Sequence, residues 1–196
     1  TITCIDKDSF RIVTGSSVRE HDKKHISENL SKNTTLTDIT ESLACFGVFG
    51  PKSREILTEI FGEHFSKDNF KFGTAKEITI NNDKLIFQRL SFVGELGWEI
   101  YVPIKVSREI YLKLVKVGEN YNLSHAGAHA LDIMRMEKGY LHWGHDISPA
   151  ENPFEAGLEF TVKLNKKTDF IGKEALKTKN RIKKKQLTKF VLEKST

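Results

Sequence analysis

A glycine turn between two apolar, strand-like runs constrains this chain more than any other feature. The first run covers residues 85–90 and the second covers 98–102, with Ser-Phe-Val-Gly-Glu-Leu-Gly between them. Runs of this kind around a glycine turn predict two adjacent strands. Glu99 falls inside the second run. If its carboxylate points inward it needs donor partners, because an unpaired buried charge is very costly. A planar ligand with two adjacent N–H donors would meet that need.

The composition is that of a globular protein. Hydrophobic residues make up 38% and charged residues 29% of the 196 residues, which suits one large domain or two small ones. No apolar run approaches the length of a membrane span, so we expect no membrane partner. The start at Thr1 shows neither a signal peptide nor an initiator methionine. We therefore expect a fragment of a longer chain.

Charge and cysteine content indicate a solvated surface and a reducing compartment. Much of the net charge of +5 comes from the lysine-rich residues 177–185, which carry no interleaved aromatic side chains. This pattern favours a solvated face over a nucleic-acid site, so we expect no nucleic-acid partner. Cys4 and Cys45 lie in apolar contexts without a metal-binding spacing, and we interpret both as small buried hydrophobic residues.

Strand and helix patterns alternate, and several strands adjoin one another. Strand patterns cover 9–14, 44–49, 75–80, 84–90, 98–102, 160–164 and 187–192. Helix patterns cover 17–30, 51–61, 107–117 with Ser107 as the cap, 126–138 with Gly139 as the C-terminal cap, and 173–177. Helix 51–61 has four apolar residues on one face, namely Ile56, Leu57, Ile60 and Phe61. Adjacent strands favour an α+β fold with mixed or antiparallel sheets and flanking helices.

Seven segments, in order along the chain, carry a resemblance to one family. They span residues 13–15, 38–40, 47–51, 92–99, 131–140, 142–147 and 154–158. The series resembles the folate-binding aminomethyltransferases, which include the T-protein of glycine cleavage. Residues 134–158 are most similar to the version fused behind the flavin-dependent dimethylglycine and sarcosine dehydrogenases.

This resemblance implies a tetrahydrofolate site. Glu99 would hold the pterin, because its two oxygens can accept paired bonds from the ring N–H and the amino group. Phe92 stands where many members have a tyrosine, and it would pack on the pterin. Tyr101 would pack near the ligand or in the core, and Thr40 matches an Asp-x-Thr segment of the dehydrogenase-linked members. We place all four residues in the cofactor site.

The resemblance assigns no catalytic residue to this chain. The family's catalytic aspartate would precede Thr1, so we expect the fragment by itself to be inactive. Asp38 could accept a proton near the site. The alternative, in which residues 35–40 form a self-capping loop, is favoured by their Thr and Asp content.

By resemblance, residues 1–165 form the folate-binding region, as two intertwined α+β subdomains. Residues 166–196 would then begin a linker to a C-terminal barrel domain that is missing here. FAD would belong only to an upstream domain of the parent enzyme, since no dinucleotide-binding glycine fingerprint occurs in this sequence. The partners implied are folate, an N-methyl or aminomethyl donor, and that upstream domain. The compartment implied is the bacterial cytoplasm, or the mitochondrial matrix in a eukaryote.

The implied reaction is one-carbon transfer that gives 5,10-methylenetetrahydrofolate. Three alternatives remain open, namely a stand-alone glycine-cleavage T-protein, a dimethylsulfoniopropionate demethylase and a non-catalytic folate-binding regulatory protein. Leu131 counts against the first, because the T-protein has an arginine there. In the third class, iron–sulfur assembly relatives carry a Lys-Gly-Cys-Tyr segment, whereas here Tyr140 follows Gly139 directly.

Two polar groups near the C-terminal half are interpreted as structural. Arg135 and Glu137 stand two apart on a helix, so they do not face each other, and we expect them to tie down the loop that follows. His142, His145 and Asp146 lack the spacing of a recognised metal-binding helix. Hydrogen bonds that lock the loop are expected there, and no metal site is predicted.

Overall fold

The computed structural model of this chain describes residues 1–179, 185–191 and 193. It divides into two compact units, Thr1–Ala126 and Gly127–Thr196. The boundary that the resemblance predicts, between residues 165 and 166, stays a prediction. None of the helices in the described residues is long and apolar enough to cross a membrane.

The first unit opens with an antiparallel hairpin and a polar helix. Strands β1 (Ile2–Asp6) and β2 (Ser9–Ile12) pair in the register Thr3 to Arg11. Helix α1 (Arg19–Glu28) follows after a short 3-10 turn. No residue of α1 is fully buried, which agrees with its run of charged and polar side chains. The predicted strand and helix are confirmed; the strand ends two residues earlier than predicted, and the helix is two residues shorter at each end.

A four-stranded antiparallel sheet forms the centre of the first unit. Its strands are β3 (Leu43–Phe49), β4 (Ala75–Ile80), β5 (Asp83–Gln88) and β6 (Gly97–Pro103), in the spatial order β3-β6-β5-β4. The β4–β5 turn places Asn81 and Asn82 at φ 48° and 70°, a left-handed conformation that asparagine tolerates well. The predicted α+β fold with antiparallel sheets is confirmed.

Helices cover one face of this sheet. Helices α2 (Ser53–Phe61) and α3 (Ile104–Gly118) pack on the face where Trp98, Ile100 and Val102 are fully buried. The four apolar residues predicted for α2 are all buried. Burial of one such side chain contributes about 1.5–3 kcal/mol. Because strand side chains alternate, Glu99 and Tyr101 project from the opposite face.

Aromatic rings fill much of this core. The Phe65 ring lies 5.0 Å from Phe87 and 5.6 Å from Trp98, both edge to face. The guanidinium groups of Arg54 and Arg89 lie 5.1 and 5.7 Å from the Trp98 ring. The core side of β6 is therefore rigidly packed, which fixes the strand that carries Glu99.

The second unit contains helices α4 (Ala128–Glu137) and α5 (Lys173–Lys179) and long connecting loops. Gly139 caps α4 at φ 73°, as predicted, and the Tyr140 N–H donates to the Arg135 carbonyl at 2.9 Å. The Arg135 side chain is 3% exposed; it pairs with Asp132 and Asp146 and donates to the Tyr140 carbonyl at 3.0 Å. Its predicted role as a tie to the following loop is confirmed.

Four predictions about local structure were wrong. Helix α3 begins at Ile104 rather than at Ser107, whose hydroxyl instead donates back to the Ile104 carbonyl at 2.8 Å. Residues 160–164 form no strand, and a 3-10 turn covers Glu159–Thr161. Residues 187–191 are irregular, and residue 192 of that predicted strand lies outside the described residues. Both cysteines are exposed.

Candidate folate-binding site

The two glycines of the turn before β6, Gly94 and Gly97, are required for different structural reasons. Gly94 has φ 73°, in the left-handed region that favours glycine. Gly97 has no room for a side chain, because a Cβ there would lie 2.5 Å from the Val48 carbonyl oxygen and 2.3 Å from a ring carbon of Phe49. The Gly-Glu-Leu-Gly sequence thus turns the chain and then brings β6 close against β3. This contact places Glu99 two residues into the strand.

Glu99 is half-buried at the middle of the sheet. It lies in register with Gly47 of β3 and Gln88 of β5. One carboxylate oxygen accepts a hydrogen bond from the Tyr101 hydroxyl at 2.5 Å. A carboxylate has about four acceptor positions. The bond to Tyr101 therefore orients the group and leaves it able to accept two further bonds from a ligand.

Tyr101 is 6% exposed and lies beneath a cation. The Arg11 guanidinium carbon is 3.9 Å from the centre of the Tyr101 ring. Burial, together with the hydrogen bond to Glu99, raises the pKa of Tyr101 above its ordinary range. The phenol therefore keeps its proton and acts as the donor toward Glu99.

Arg11 reaches this face of the sheet from the hairpin. It is 8% exposed, and its Nη2 donates to the Gln88 side-chain oxygen at 3.0 Å. The Gln88 amide nitrogen in turn donates to the Thr3 hydroxyl at 2.7 Å. Burial lowers the pKa of Arg11, and the neighbouring Tyr101, Cys45 and Glu99 oppose that shift. A buried polar network thus connects strands β1, β2 and β5.

A cavity of about 530 Å³ lies beside these residues in the first unit. Its lining includes Arg11, Cys45 and Tyr101, together with Thr40 and Asp38. The structure thus brings two of the predicted residues, Tyr101 and Thr40, to one cavity.

The other two predicted residues occupy different positions. Glu99 does not line the cavity but is joined to it through its hydrogen bond from Tyr101. Phe92 lies half-buried in the turn before β6 and is absent from the described lining. Its predicted packing on the ligand stays a prediction.

Asp38 anchors a loop. Its Oδ1 accepts the Thr40 hydroxyl at 2.7 Å and the Thr40 N–H at 3.1 Å, while Arg19 donates to Oδ2 at 2.9 Å. These bonds hold the pKa of Asp38 well below its usual range, with the Thr40 hydroxyl the largest cause. The self-capping interpretation of residues 35–40 therefore describes this loop. A carboxylate held so firmly in its ionised form is a poor proton acceptor.

The His-Trp-Gly-His-Asp loop of the second unit is held by hydrogen bonds. Asp146 accepts the His142 N–H at 2.7 Å, and the His145 N–H donates to the His142 carbonyl at 3.1 Å. The described residues contain no group of three or more His, Cys, Asp or Glu that could hold a metal ion. The predicted loop-locking bonds are confirmed.

Sequence reasoning missed Arg11, Gln88 and Cys45. Hydropathy alternation in β2 would direct Phe10 and Ile12 inward, yet they are 61% and 42% exposed while Arg11 is buried. Cys45 is the register partner of Tyr101, a relation that only the β3–β6 pairing reveals. The one signal available in the sequence was Arg11 itself, a charged residue between two apolar residues of a predicted strand.

Comparison with known proteins identifies the family to which a chain with this fold and site belongs. The family model described as the GCVT N-terminal domain matches residues 1–166. The chain therefore belongs to the GCVT N-terminal domain family, and the resemblance seen in the sequence is confirmed.

Individual relatives and a solved structure add detail. The human mitochondrial dimethylglycine dehydrogenase is 38% identical over 171 residues, which are 86% of this chain and 20% of that protein. The aminomethyltransferase of Halothermothrix orenii is 32% identical over 175 residues, covering 89% of this chain and 48% of that protein. The crystal structure of the glycine cleavage system aminomethyltransferase T from Bartonella henselae matches with a TM-score of 0.71 at 22% identity, over 88% of this chain and 45% of that one. The chain thus spans about a fifth to a half of the length of these proteins.

Proposed function

We propose that this chain is the folate-binding part of an enzyme that transfers one-carbon units to tetrahydrofolate, giving 5,10-methylenetetrahydrofolate. The observation that carries the proposal is the Glu99 carboxylate, which β6 and Tyr101 hold at the middle of an otherwise well-packed sheet. Membership of the GCVT N-terminal domain family supports the same reaction class.

The residues present fit a reduced pterin. Glu99 accepts a single hydrogen bond from the described residues, so its second oxygen is available for a ring N–H or amino group. Gly47, its register partner, is exposed and adds no side chain, and the Phe49 ring lies over it, since a Cβ at Gly47 would be 2.4 Å from a carbon of that ring. On this side, a flat heterocycle would reach the carboxylate only beside the Phe49 ring. Charge-assisted, paired hydrogen bonds of this kind are short and orient a planar ligand strongly.

In this proposal the chain contributes binding and orientation. Tetrahydrofolate, when bound, supplies the nitrogens N5 and N10 that take up the methylene unit. Glu99 fixes the pterin, Tyr101 fixes Glu99, and the phenol keeps its proton because of burial and that hydrogen bond. Holding reactants in a productive geometry is a large source of rate enhancement. No residue of this chain is assigned as the catalytic acid.

The similarity to dimethylglycine dehydrogenase supports placing this chain in a larger flavin-dependent enzyme that acts on an N-methylated glycine. An upstream FAD domain would then generate the one-carbon unit. The compartment would be the mitochondrial matrix of a eukaryote, in keeping with the word mitochondrial in the name of the human relative, or the cytoplasm of a bacterium. The likeness to an aminomethyltransferase supports a stand-alone glycine-cleavage enzyme as the second candidate.

Anaerobic calorimetric titration with tetrahydrofolate tests the binding proposal. Glu99→Gln should weaken binding by about 2–3 kcal/mol, on the order of 30- to 150-fold in Kd, because a charged acceptor is lost. Glu95→Gln is the matched control, since Glu95 lies in the adjacent turn and has the same side chain. Equal Kd values for wild type and Glu99→Gln would exclude Glu99 from the site.

A second measurement separates the two candidate parents. The longer natural protein should reduce a flavin with an N-methylated glycine and form methylenetetrahydrofolate without a lipoyl carrier protein. A requirement for that carrier would favour the stand-alone aminomethyltransferase.

A further inference from the structure

Arg11 is a buried cation without an acid partner in the described part of the chain. Its Nε and Nη1 are shielded from solvent and have no hydrogen-bond acceptor there. Burying an unpaired charge, or leaving a buried donor without an acceptor, destabilises the folded state. The fold therefore retains Arg11 at a cost to stability. Groups of this kind cluster at functional sites.

The contacts of Arg11 lead directly to the carboxylate of the proposed site. The guanidinium covers the Tyr101 ring at 3.9 Å, and the Tyr101 hydroxyl donates to Glu99 at 2.5 Å. The bond from Arg11 to Gln88 holds the guanidinium over the sheet, and Gln88 is the register partner of Glu99 on β5. Arg11 thus touches both the residue that orients Glu99 and the residue beside it.

We propose that Arg11 is the positioning residue of the pterin-binding carboxylate: it clamps the Tyr101 ring so that the Tyr101 hydroxyl holds Glu99 ready for the ligand. This inference rests on the proposed function, since the ligand is the reduced pterin of that site. Arg11 itself acts through Tyr101. The attraction between a cation and an aromatic face favours the ring position that lies under the guanidinium.

Cys45 provides an internal reporter of the Arg11 charge. The titratable groups of the sheet and hairpin that face this region are Arg11 on β2, Cys45 on β3, and Glu99 and Tyr101 on β6, whereas β5 presents the uncharged Gln88. Helix α1 and the loop after it add further charged groups to the cavity that Cys45 lines, namely Arg19, Asp22, Lys23, Asp38 and Glu41. Although Cys45 is exposed as a residue, partial loss of hydration at its thiol raises the pKa of Cys45 to about 11, and the Glu99 carboxylate adds to that rise. A hydrogen bond with Tyr101 and, less strongly, the Arg11 cation act against it. Removing this cation should therefore raise the pKa of Cys45 further.

The first test measures the pH–rate profile for alkylation of Cys45 by iodoacetamide, in a Cys4→Ser background because Cys4 is also exposed. Arg11→Met should slow alkylation at a fixed pH and move the profile to higher pH, since the thiolate is the reactive form. Arg11→Lys, which keeps the charge, should restore most of the rate. A residue that only fills space would leave the rate unchanged or raise it, because Cys45 is already exposed.

The second test measures the Kd for tetrahydrofolate. Arg11→Met should weaken binding about tenfold, which corresponds to 1.4 kcal/mol, and Arg11→Lys should recover at least half of that loss in free energy. Arg54→Met is the matched control, since Arg54 covers an aromatic ring, Trp98, on the opposite face of the sheet. It should leave Kd and the Cys45 profile unchanged.

The outcomes separate this inference from the function on which it rests. Unchanged or faster Cys45 alkylation in a folded Arg11→Met variant overturns the role of Arg11, even if Glu99→Gln abolishes folate binding. Failure of Arg11→Lys to recover either measurement also overturns it. Absence of tetrahydrofolate binding by the wild-type chain and by the longer natural protein instead overturns the proposed function, and the inferred ligand with it.

Discussion

Gly97→Ala should destabilise the first unit, although alanine usually stabilises a chain relative to glycine. A Cβ at this position would lie 2.5 Å from the Val48 carbonyl oxygen and 2.9 Å from the Phe49 Cα, so backbone atoms of β3 must move. Overpacking of this kind costs about 1–3 kcal/mol. The lower entropy of the unfolded chain offsets about 0.4–1 kcal/mol of that cost. We expect a net loss of about 1–2 kcal/mol.

Gly47→Ala is the matched control, because its clash involves a side chain. A Cβ at Gly47 would lie 2.4 Å from one ring carbon of Phe49 and 2.9 Å from another, and the ring can turn away. Phe49→Ala should therefore relieve the cost of Gly47→Ala. It should relieve only part of the cost of Gly97→Ala: the contact with the Phe49 ring at 2.3 Å is removed, but the contacts with the Val48 carbonyl oxygen and the Phe49 Cα remain.

Urea unfolding followed by Trp98 fluorescence measures these effects. A Trp143→Phe background removes the other tryptophan, which lies in the second unit and is 52% exposed. The double-mutant cycle should give a coupling of about 1 kcal/mol for the Gly47 pair. For the Gly97 pair, Phe49→Ala should leave part of the destabilisation in place. A Gly97→Ala variant as stable as wild type, or one fully rescued by Phe49→Ala, would refute this explanation of the second glycine.

Two further predictions concern polar groups. Arg135→Met should destabilise the second unit by about 2 kcal/mol, because hydrogen bonds from a buried charged group are lost. Hydrogen exchange should show faster opening of residues 140–146. Unchanged protection of these amides would contradict the prediction. Asp38→Asn should destabilise the chain at neutral pH. The lowered pKa of Asp38 means that its stabilisation is complete above about pH 5 and fades as the pH falls through the ordinary value near 4 toward the folded-state value. The stability difference from wild type should therefore shrink at pH 3, and a constant difference would contradict this linkage.

Local pattern predicted those parts of the fold in which one face of an element is apolar. Helix α2 shows this, because its four apolar residues recur at helical spacing and all are buried. The strands flanking the glycine turn were equally clear, because each is a mostly apolar run with defined ends. In these elements local preference and tertiary packing favour the same structure.

Prediction failed where tertiary contacts reverse the local pattern. Residues 160–164 alternate in hydropathy, but a strand requires a pairing partner, and residue 160 is 69% exposed in a 3-10 turn. Serine is a residue type that commonly caps helices, which is why Ser107 was predicted as the cap. The helix α3 instead begins directly after Pro103, which has φ −52° and ψ 133°. Arg11 is buried because it donates a hydrogen bond to Gln88 and packs on the Tyr101 ring. Both residues are more than 70 residues away along the chain.

The position of Glu99 within a strand could be read from the sequence, whereas its surroundings could not. Its role as a pterin-binding residue came from the resemblance to a family and stays a prediction. The hydrogen bond from Tyr101 follows from strand periodicity, because residues two apart share a face. The cation above that tyrosine depends on how the hairpin packs against the sheet, and no local pattern specifies that packing.

A crystal structure of the wild-type chain, or of the longer natural protein, with tetrahydrofolate bound tests the central claim most directly. We predict that both carboxylate oxygens of Glu99 lie within about 3 Å of pterin nitrogens, one a ring N–H and the other the amino group. The Tyr101 hydroxyl should still donate to that carboxylate. A pterin bound elsewhere, with Glu99 facing solvent, would contradict the account.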